Sequence, residues 1–354
     1  MGQKGTVFVG LSGGVDSSVA AARLKARGYN VVGVFIKVWH PEWLSCNWEQ
    51  ERLDAMRVAA RLDIPFLTCD AERAYKDGVA NHFIQEYQAG RTPNPDVLCN
   101  KEVKFGAFLR FADAHKADFV ATGHYAQKIT TETGFELHRG VDTNKDQSYF
   151  LWTLTQAQLK RILLPVGDTK KEDIRKEAAK AGLITSEKKD SQGICFLGHI
   201  DIKEFLGHYT ELVPGPVENE RGDVIGEHDG ALIYTIGQRH GFTLHNKTPE
   251  SQPHYVSRKN MERNTIVVST HPPKADKTNH IHLHTCNWIG EQPQANSNFE
   301  LQTRYRQSPN PARFTELNND TATLEPQQPI DAFASGQSAV CYLGQRCLGG
   351  GIIG

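Results

Sequence analysis

Residues 10–18 read GLSGGVDSS, directly after the apolar run Thr6-Val7-Phe8-Val9 and directly before the helical pattern SSVAAARLKARG, which closes at Gly28. Strand, glycine-rich turn and helix in that order constrain the N-terminal half to a layered α/β fold, because the turn sets helix N–H groups at the carboxyl end of a strand. Gly13 and Gly14 permit a backbone approach that a Cβ would forbid, and Ser12, Ser17 and Ser18 offer hydroxyls. The stretch is an anion cradle. A Walker loop would follow its last glycine with lysine, yet here Val15 follows Gly14 and Asp16 adds negative charge. That argues against a clamp on a γ-phosphate.

The same rhythm continues along the chain. YNVVGVFIKVW reads as the next strand, the helix NWEQERLDAMRVAARLD leads into IPFLTC, and KFGAFLRFADAHKA leads into ADFVATG. Helices alternating with buried strands predict a doubly wound parallel sheet over residues 1–200. After about residue 200 the alternation gives way to Gly/Pro punctuation and short strands such as NTIVVS, FELQTRY and SAVCYL. We expect a small linker domain over 201–275 and a β-barrel-like domain over 276–354, and 354 residues suffice for three such units.

Charge gives no global case for nucleic acid, since 40 Lys and Arg nearly cancel 41 Asp and Glu. Locally, Lys160 to Asp190 has a modest basic excess, which a solvated helix face explains as well as RNA does, and TRYRQ adds Arg304, Tyr305 and Arg306. The N-terminus shows no basic leader with an apolar core, and no apolar run approaches about 18 residues. The expectation is a soluble cytoplasmic protein that does not enter a membrane. Seven cysteines without a CxxC pair suit a reducing compartment and argue against structural zinc.

Cys69, Cys341 and Cys347 lie in apolar runs and read as small buried hydrophobes. Cys99 follows a proline-stiffened loop in RTPNPDVLCNKEVKFG. Its position at or near the start of a helix expected over Lys101–Lys116 would let helix N–H groups and Lys101 or Lys104 lower its pKa. Cys195, in KKDSQGICFLG, has Gly193 for a turn and Lys188 and Lys189 for positive potential, and is the second candidate reactive thiol. Asp96 is a candidate general acid or base three residues before Cys99, or a helix-cap carboxylate.

SGGVDSS resembles the pyrophosphate loop of the ATP pyrophosphatases, adenine nucleotide alpha hydrolase-like enzymes that cleave ATP between its α- and β-phosphates. Five stretches, GLSGGVDSSV, TPNPDVLCNKEVKF, ATGHYA, KDQSYFL and DSQGICF, make the whole chain similar to the tRNA-specific 2-thiouridylases, the tRNA-uridine 2-sulfurtransferases of the MnmA type. The resemblance implies that Gly10, Leu11, Ser12, Gly13, Gly14, Val15, Asp16 and Ser17 bind ATP, with Asp16 helping to hold Mg2+ on the phosphates. Ile36, where the family often has methionine, and Gly123 complete that pocket. Asn94, Pro95 and Asp96 then contact the target base, Cys99 is the nucleophile and Cys195 carries the persulfide. Contacts to tRNA fall at His124, at Lys145, Asp146 and Gln147, at Arg304 and Tyr305, and at Gln337.

The implied activity is ATP-dependent 2-thiolation of a wobble uridine in glutamate, glutamine and lysine tRNAs, with sulfur from a persulfide-donor protein. Replacing the C2 oxygen needs a better leaving group than oxide, and adenylation supplies AMP. The persulfide either attacks C2 itself or yields hydrosulfide when Cys99 attacks it, and both routes can end in a disulfide. Two other readings compete. One is a different pyrophosphate-loop ligase or sulfurtransferase, and the other is a catalytically silent tRNA-binding protein that uses ATP as a conformational ligand.

Overall fold

The computed structural model describes residues 4–44, 48–189, 201–245, 252–275 and 280–354. In β1 (Thr6–Gly10) the side chains alternate across a sheet, Val7 and Val9 joining the core on one face and Phe8 the core on the other. Strands β2 (Asn30–Lys37), β3 (Phe66–Asp70), β4 (Phe119–Ala121) and β7 (Ile162–Leu163) pair with it in parallel, in the order β3-β2-β1-β4-β7. Helices α1 (Val15–Ala26) and α2 (Trp48–Arg61), with the helix Lys171–Lys180, bury Val19, Val58 and Ile174 on one face. Helical runs over 72–88 and 95–114 bury Tyr75, Phe83, Val103 and Phe108 on the other. The sheet is doubly wound, as the alternation predicts.

The helix carrying Cys99 begins earlier than its apolar spacing suggests. Expected over Lys101–Lys116, it runs instead from Pro95–Leu98 through a π-helical stretch, Cys99–Ala107, into Phe108–Ala114. Its start is set by a cap: Asn94 Oδ1 accepts a hydrogen bond from Val97 N at 3.2 Å, and Pro95, with φ preset, takes the first helical position. Lys116, with φ +55°, ends it in the left-handed region.

In the second half, β8 (Gly215–Glu218), β9 (Val224–His228), β10 (Phe242–Leu244), β11 (Tyr255–Asn260) and β12 (Thr265–Ser269) form a sheet ordered β10-β9-β8-β12-β11. It has its own core around Val217, Tyr234, Val256 and Ile266. The helix Ile202–Gly207 ties this sheet to the first unit by burying Phe205 and Leu206 in the core of Phe83 and Val103. A short pair, β13 (Lys274–Ala275) and β18 (Ile330–Asp331), lies apart.

The C-terminal strands are β14 (Ile281–Trp288), β15 (Asn298–Gln302), β16 (Asn310–Leu317), β17 (Ala322–Pro326), β19 (Ser338–Leu343) and β20 (Arg346–Ile353). They pair antiparallel in the order β14-β17-β16-β15-β19-β20, and β14 returns to β20, so a six-stranded barrel closes and no edge among these six strands is left open. A hairpin from the first unit, β5 (Ala126–Thr131) and β6 (Gly134–Arg139), adds to that sheet where β6 pairs with β20, Leu137 facing Cys347. The first unit and the barrel thus share one hydrophobic core, in which Phe105 and Leu137 lie with Val340 and Tyr342.

Candidate active site

Leu11 N donates to Val34 O at 2.8 Å, so the chain keeps to the sheet one residue past β1 before it turns. Gly13 makes the turn with φ +70°, where a Cβ would lie 2.7 Å from Glu51 O. Ser17 Oγ and Ser18 Oγ fold back to Gly14 O at 3.2 and 2.7 Å, and Ser12 Oγ lies 3.3 Å from Ser17 Oγ. Gly14 caps α1 without a side-chain acceptor, leaving the positive end of that helix to the loop. Gly123, just past β4, presses on the loop from the next strand: a Cβ there would sit 2.7 Å from Ser17 N and 2.8 Å from Asp16 C. Ile36 is buried at the end of β2, and a Cβ on Gly10 would lie 3.5 Å from Ile36 Cδ1 and 3.6 Å from Phe108 Cε1. Gly10, Ile36 and Gly123 therefore meet at the carboxyl edge where the strand order reverses, the place where sheets of this kind take nucleotides.

Asp16 is already engaged. Lys171 Nζ donates to its Oδ1 and Oδ2, both at 2.8 Å, and Tyr125 Oη donates to Oδ1 at 2.6 Å. One loop, over 142–147, holds both donors: Lys171 N donates to Asp142 Oδ2 at 2.9 Å, and Tyr125 N to Gln147 Oε1 at 3.0 Å. Three donated bonds leave a carboxylate about one lone-pair direction. Among the described residues no group of three His, Cys, Asp or Glu side chains is placed to hold a metal. This donor set does not fit the magnesium expected on Asp16. Tyr125 and Lys171 escaped sequence reasoning, and a lysine 155 residues from its partner carries no local signal.

Asp96 lies in the first turn of its helix, where the dipole favours a carboxylate, and stands three residues before Cys99, a spacing that shares a helical face. Cys99 is wholly buried in the second turn, and its N–H donates to Pro95 O. The π winding that starts at Cys99 bonds i to i+5 and sets Lys104 one turn away, whereas Lys101 pairs with Glu102 at 3.7 Å. Burial, with the Lys104 charge adding to it, holds His124 well below the ordinary imidazole range, and His124 Nδ1 lies 2.8 Å from Thr122 Oγ1. Asn100, next to the thiol, gives Nδ2 to Phe150 O at 3.3 Å and leaves Oδ1 buried with no partner among the described residues. Its place beside Cys99 in the chain was the one signal that could have found it. Cys195 lies outside the described residues. Cys69, Cys341 and Cys347 are buried as expected, and burial pushes the Cys69 thiol up to about 11, which leaves it inert.

The residues assigned by resemblance to tRNA divide into two groups. Tyr305 packs at a tilt against Phe150 with ring centroids 4.4 Å apart, the Arg306 guanidinium lies 5.1 Å over its ring, and the charge of Lys145 reaches its phenol. Arg304 and Gln337 instead knit the units together. Arg304 Nη2 donates to Ile236 O at 2.7 Å and Ala332 O at 2.9 Å, and Gln337 Nε2 donates to Thr92 O at 3.0 Å, two residues before Asn94. Asp146 accepts from Gly140 N, Ser148 N and Arg139 Nη1 at 2.9, 3.0 and 3.1 Å.

The chain matches the tRNA methyl transferase HUP domain family over residues 5–199, the tRNA methyl transferase PRC-barrel domain family over 203–270 and the aminomethyltransferase beta-barrel domain family over 278–353. It is similar to the tRNA-specific 2-thiouridylase MnmA of Shewanella sp. (strain MR-4), 44% identical over 98% of this chain and 95% of that one. To the protein of the same name from Lacticaseibacillus paracasei (strain ATCC 334) it is 43% identical, over 98% of this chain and 93% of that one. Among solved structures, a 4-thiouridine synthetase–RNA complex with bound ATP is 18% identical, covers 55% of this chain and 45% of that one, and has a TM-score of 0.35.

Proposed function

Because the chain belongs to the tRNA-specific 2-thiouridylase family of tRNA sulfurtransferases, we propose that it thiolates the wobble uridine of tRNA at C2 after adenylating the C2 oxygen. The observation that carries this reading is the edge where Gly123 closes on the loop without room for a Cβ while Phe108, from the helix that bears Cys99, packs against Gly10. The helix that bears the buried thiol thus reaches the anion cradle through Phe108.

The uridine C2 oxygen attacks the α-phosphorus of ATP, and the bond to pyrophosphate breaks. Ser12, Gly13, Gly14, Val15 and Ser17 hold the phosphates with backbone N–H groups and hydroxyls, Gly10 and Leu11 line the floor of the pocket, and Ile36 packs on the nucleotide. A sulfur nucleophile then adds at C2 and AMP leaves with the oxygen. Cys195 carries that sulfur as a persulfide, Cys99 attacks or resolves it, and the two thiols end as a disulfide that a reductant reopens. Asp96, on the face of Cys99, moves the proton, and Lys104 favours the thiolate. Asn94 and Pro95 bound the base pocket, into which an unstacked uridine turns. His124, Asp146, Gln147 and Gln337 shape its walls, while Lys145, Arg304 and Tyr305 meet the anticodon loop. Residues 1–200 do the chemistry, 201–275 link the two ends, and 276–354 seat the RNA. The partners are glutamate, glutamine and lysine tRNAs and a persulfide-donor protein of the cytoplasm. No described helix is long and apolar enough to cross a membrane.

Incubation with ATP, tRNA and labelled persulfide donor, followed by nucleoside analysis, should give 2-thiouridine with AMP and pyrophosphate. ADP and phosphate as products would overturn the loop assignment. Cys195→Ser should adenylate tRNA without gaining transferable sulfur, and Cys99→Ser should adenylate and load sulfur yet lose thiolation. Label on Cys99 alone, or full thiolation by either variant, rejects the two-thiol route.

A further inference from the structure

The pyrophosphate loop has no lysine of its own, and its one charged side chain, Asp16, would repel a triphosphate. The fold delivers the missing cation from another helix. Lys171 is 7% exposed, and lysine is almost never buried so far unless it is paired. Its ammonium chelates both Asp16 oxygens at 2.8 Å, beside the Tyr125 phenol that bonds the same carboxylate. The helix Lys171–Lys180 is locked to α1, whose N-terminus lies at the loop: Arg23 binds Glu177 through Nε and Nη2 and Asp168 through Nη1 at 2.9 Å. Cradle and ammonium are therefore joined by a second contact between the two helices.

We propose that Lys171 is the phosphate-binding cation of this loop and that Asp16 is its tether rather than a metal ligand. The proposal rests on ATP binding at the loop. Asp16 holds the ammonium at the mouth of the cradle and cancels its own charge in doing so, and the arriving phosphate chain shares the ammonium with the carboxylate. Lys188 is the natural comparison, since it is held on Asp54 at 2.8 Å on the Gly13 side of the same loop.

The test is equilibrium binding of ATP and of AMP to the full chain, in excess chelator and across a magnesium titration, with thermal unfolding of every variant. Lys171→Met should weaken ATP by at least about tenfold and leave AMP within about twofold, because the lost charge-assisted bonds go to phosphates that AMP lacks. Lys171→Arg should recover part of that loss, and Lys188→Met should change ATP less than Lys171→Met does. Asp16→Asn should weaken ATP in the wild-type background, weaken it no further on the Lys171→Met background and leave the magnesium midpoint where it was. The double variant Asp16→Asn/Lys171→Met buries no unpaired charge, so it reports the ATP loss even where a single variant unfolds. Unchanged ATP binding by Lys171→Met, AMP binding that falls in step with ATP, or a magnesium midpoint displaced by Asp16→Asn alone overturns the proposal. Wild-type protein that binds no ATP removes the nucleotide reading itself, a different failure.

Discussion

In the pyrophosphate loop, Ser12, Gly14, Ser17 and Ser18 bond mainly to one another, within five residues of chain. Along the seam between the first unit and the barrel, Tyr149 Oη reaches Ser338 O across 189 residues at 2.9 Å, and Gln337 reaches Thr92 O across 245 at 3.0 Å. Both regions shape one site, yet they fail differently. The loop is a backbone device in which the space beside a few glycines decides everything. The seam is a web of side-chain pairs in which each bond is modest and the sum sets where the helix of Cys99 stands.

The largest change should come from the centre of the seam. Arg139 bonds Asp146 and Gln302, both at 3.1 Å, lies 3.5 Å over the Tyr342 ring and is largely buried. Arg139→Met should therefore cost about 3 kcal/mol, the usual result of breaking a buried pair. Urea unfolding measures it, and a loss below about 1 kcal/mol would show the seam to be no more than surface ion pairing. Next comes Gly123→Ala, where the new Cβ meets backbone rather than flexible side chain. A displaced loop should lower adenylation about 100-fold at little cost in stability. Full activity in that variant would mean the loop is looser than its contacts imply.

A smaller effect is written in pH. His124 is neutral in the fold, so below its unfolded pKa of about 6.5 the unfolded chain takes up the proton first. Its contribution is complete above that value and declines as pH falls, by at most about 1.4 kcal/mol per unit. His124→Gln should flatten that part of a stability profile measured between pH 7 and 5. The same slope in wild type and variant would place the titration elsewhere. Smallest is Gln337→Ala, which removes one half-buried hydrogen bond to Thr92 O and should cost about 1 kcal/mol. Thiolation should fall modestly while adenosine nucleotide binding stays unchanged, and weakened ATP binding would show that seam and loop are coupled.

The strand–glycine–helix order, the alternation that makes the parallel sheet, and the β-rich C-terminal third were all legible in the chain, because each is set by contacts within a few residues. The cap at Asn94-Pro95 was written there too, but its polar stretch read as loop, and the helix of Cys99 therefore starts at Pro95, well before the Lys101 that its apolar pattern suggests. Nothing local announces that β14 returns to β20, that the hairpin β5–β6 joins the barrel, or that Lys171 and Tyr125 converge on Asp16. Apolar periodicity tells a strand or helix which face to bury and is silent on which partner covers it. Partners 100 to 250 residues away are chosen only when the cores close, and in this chain that closure decides where the loop's cation stands.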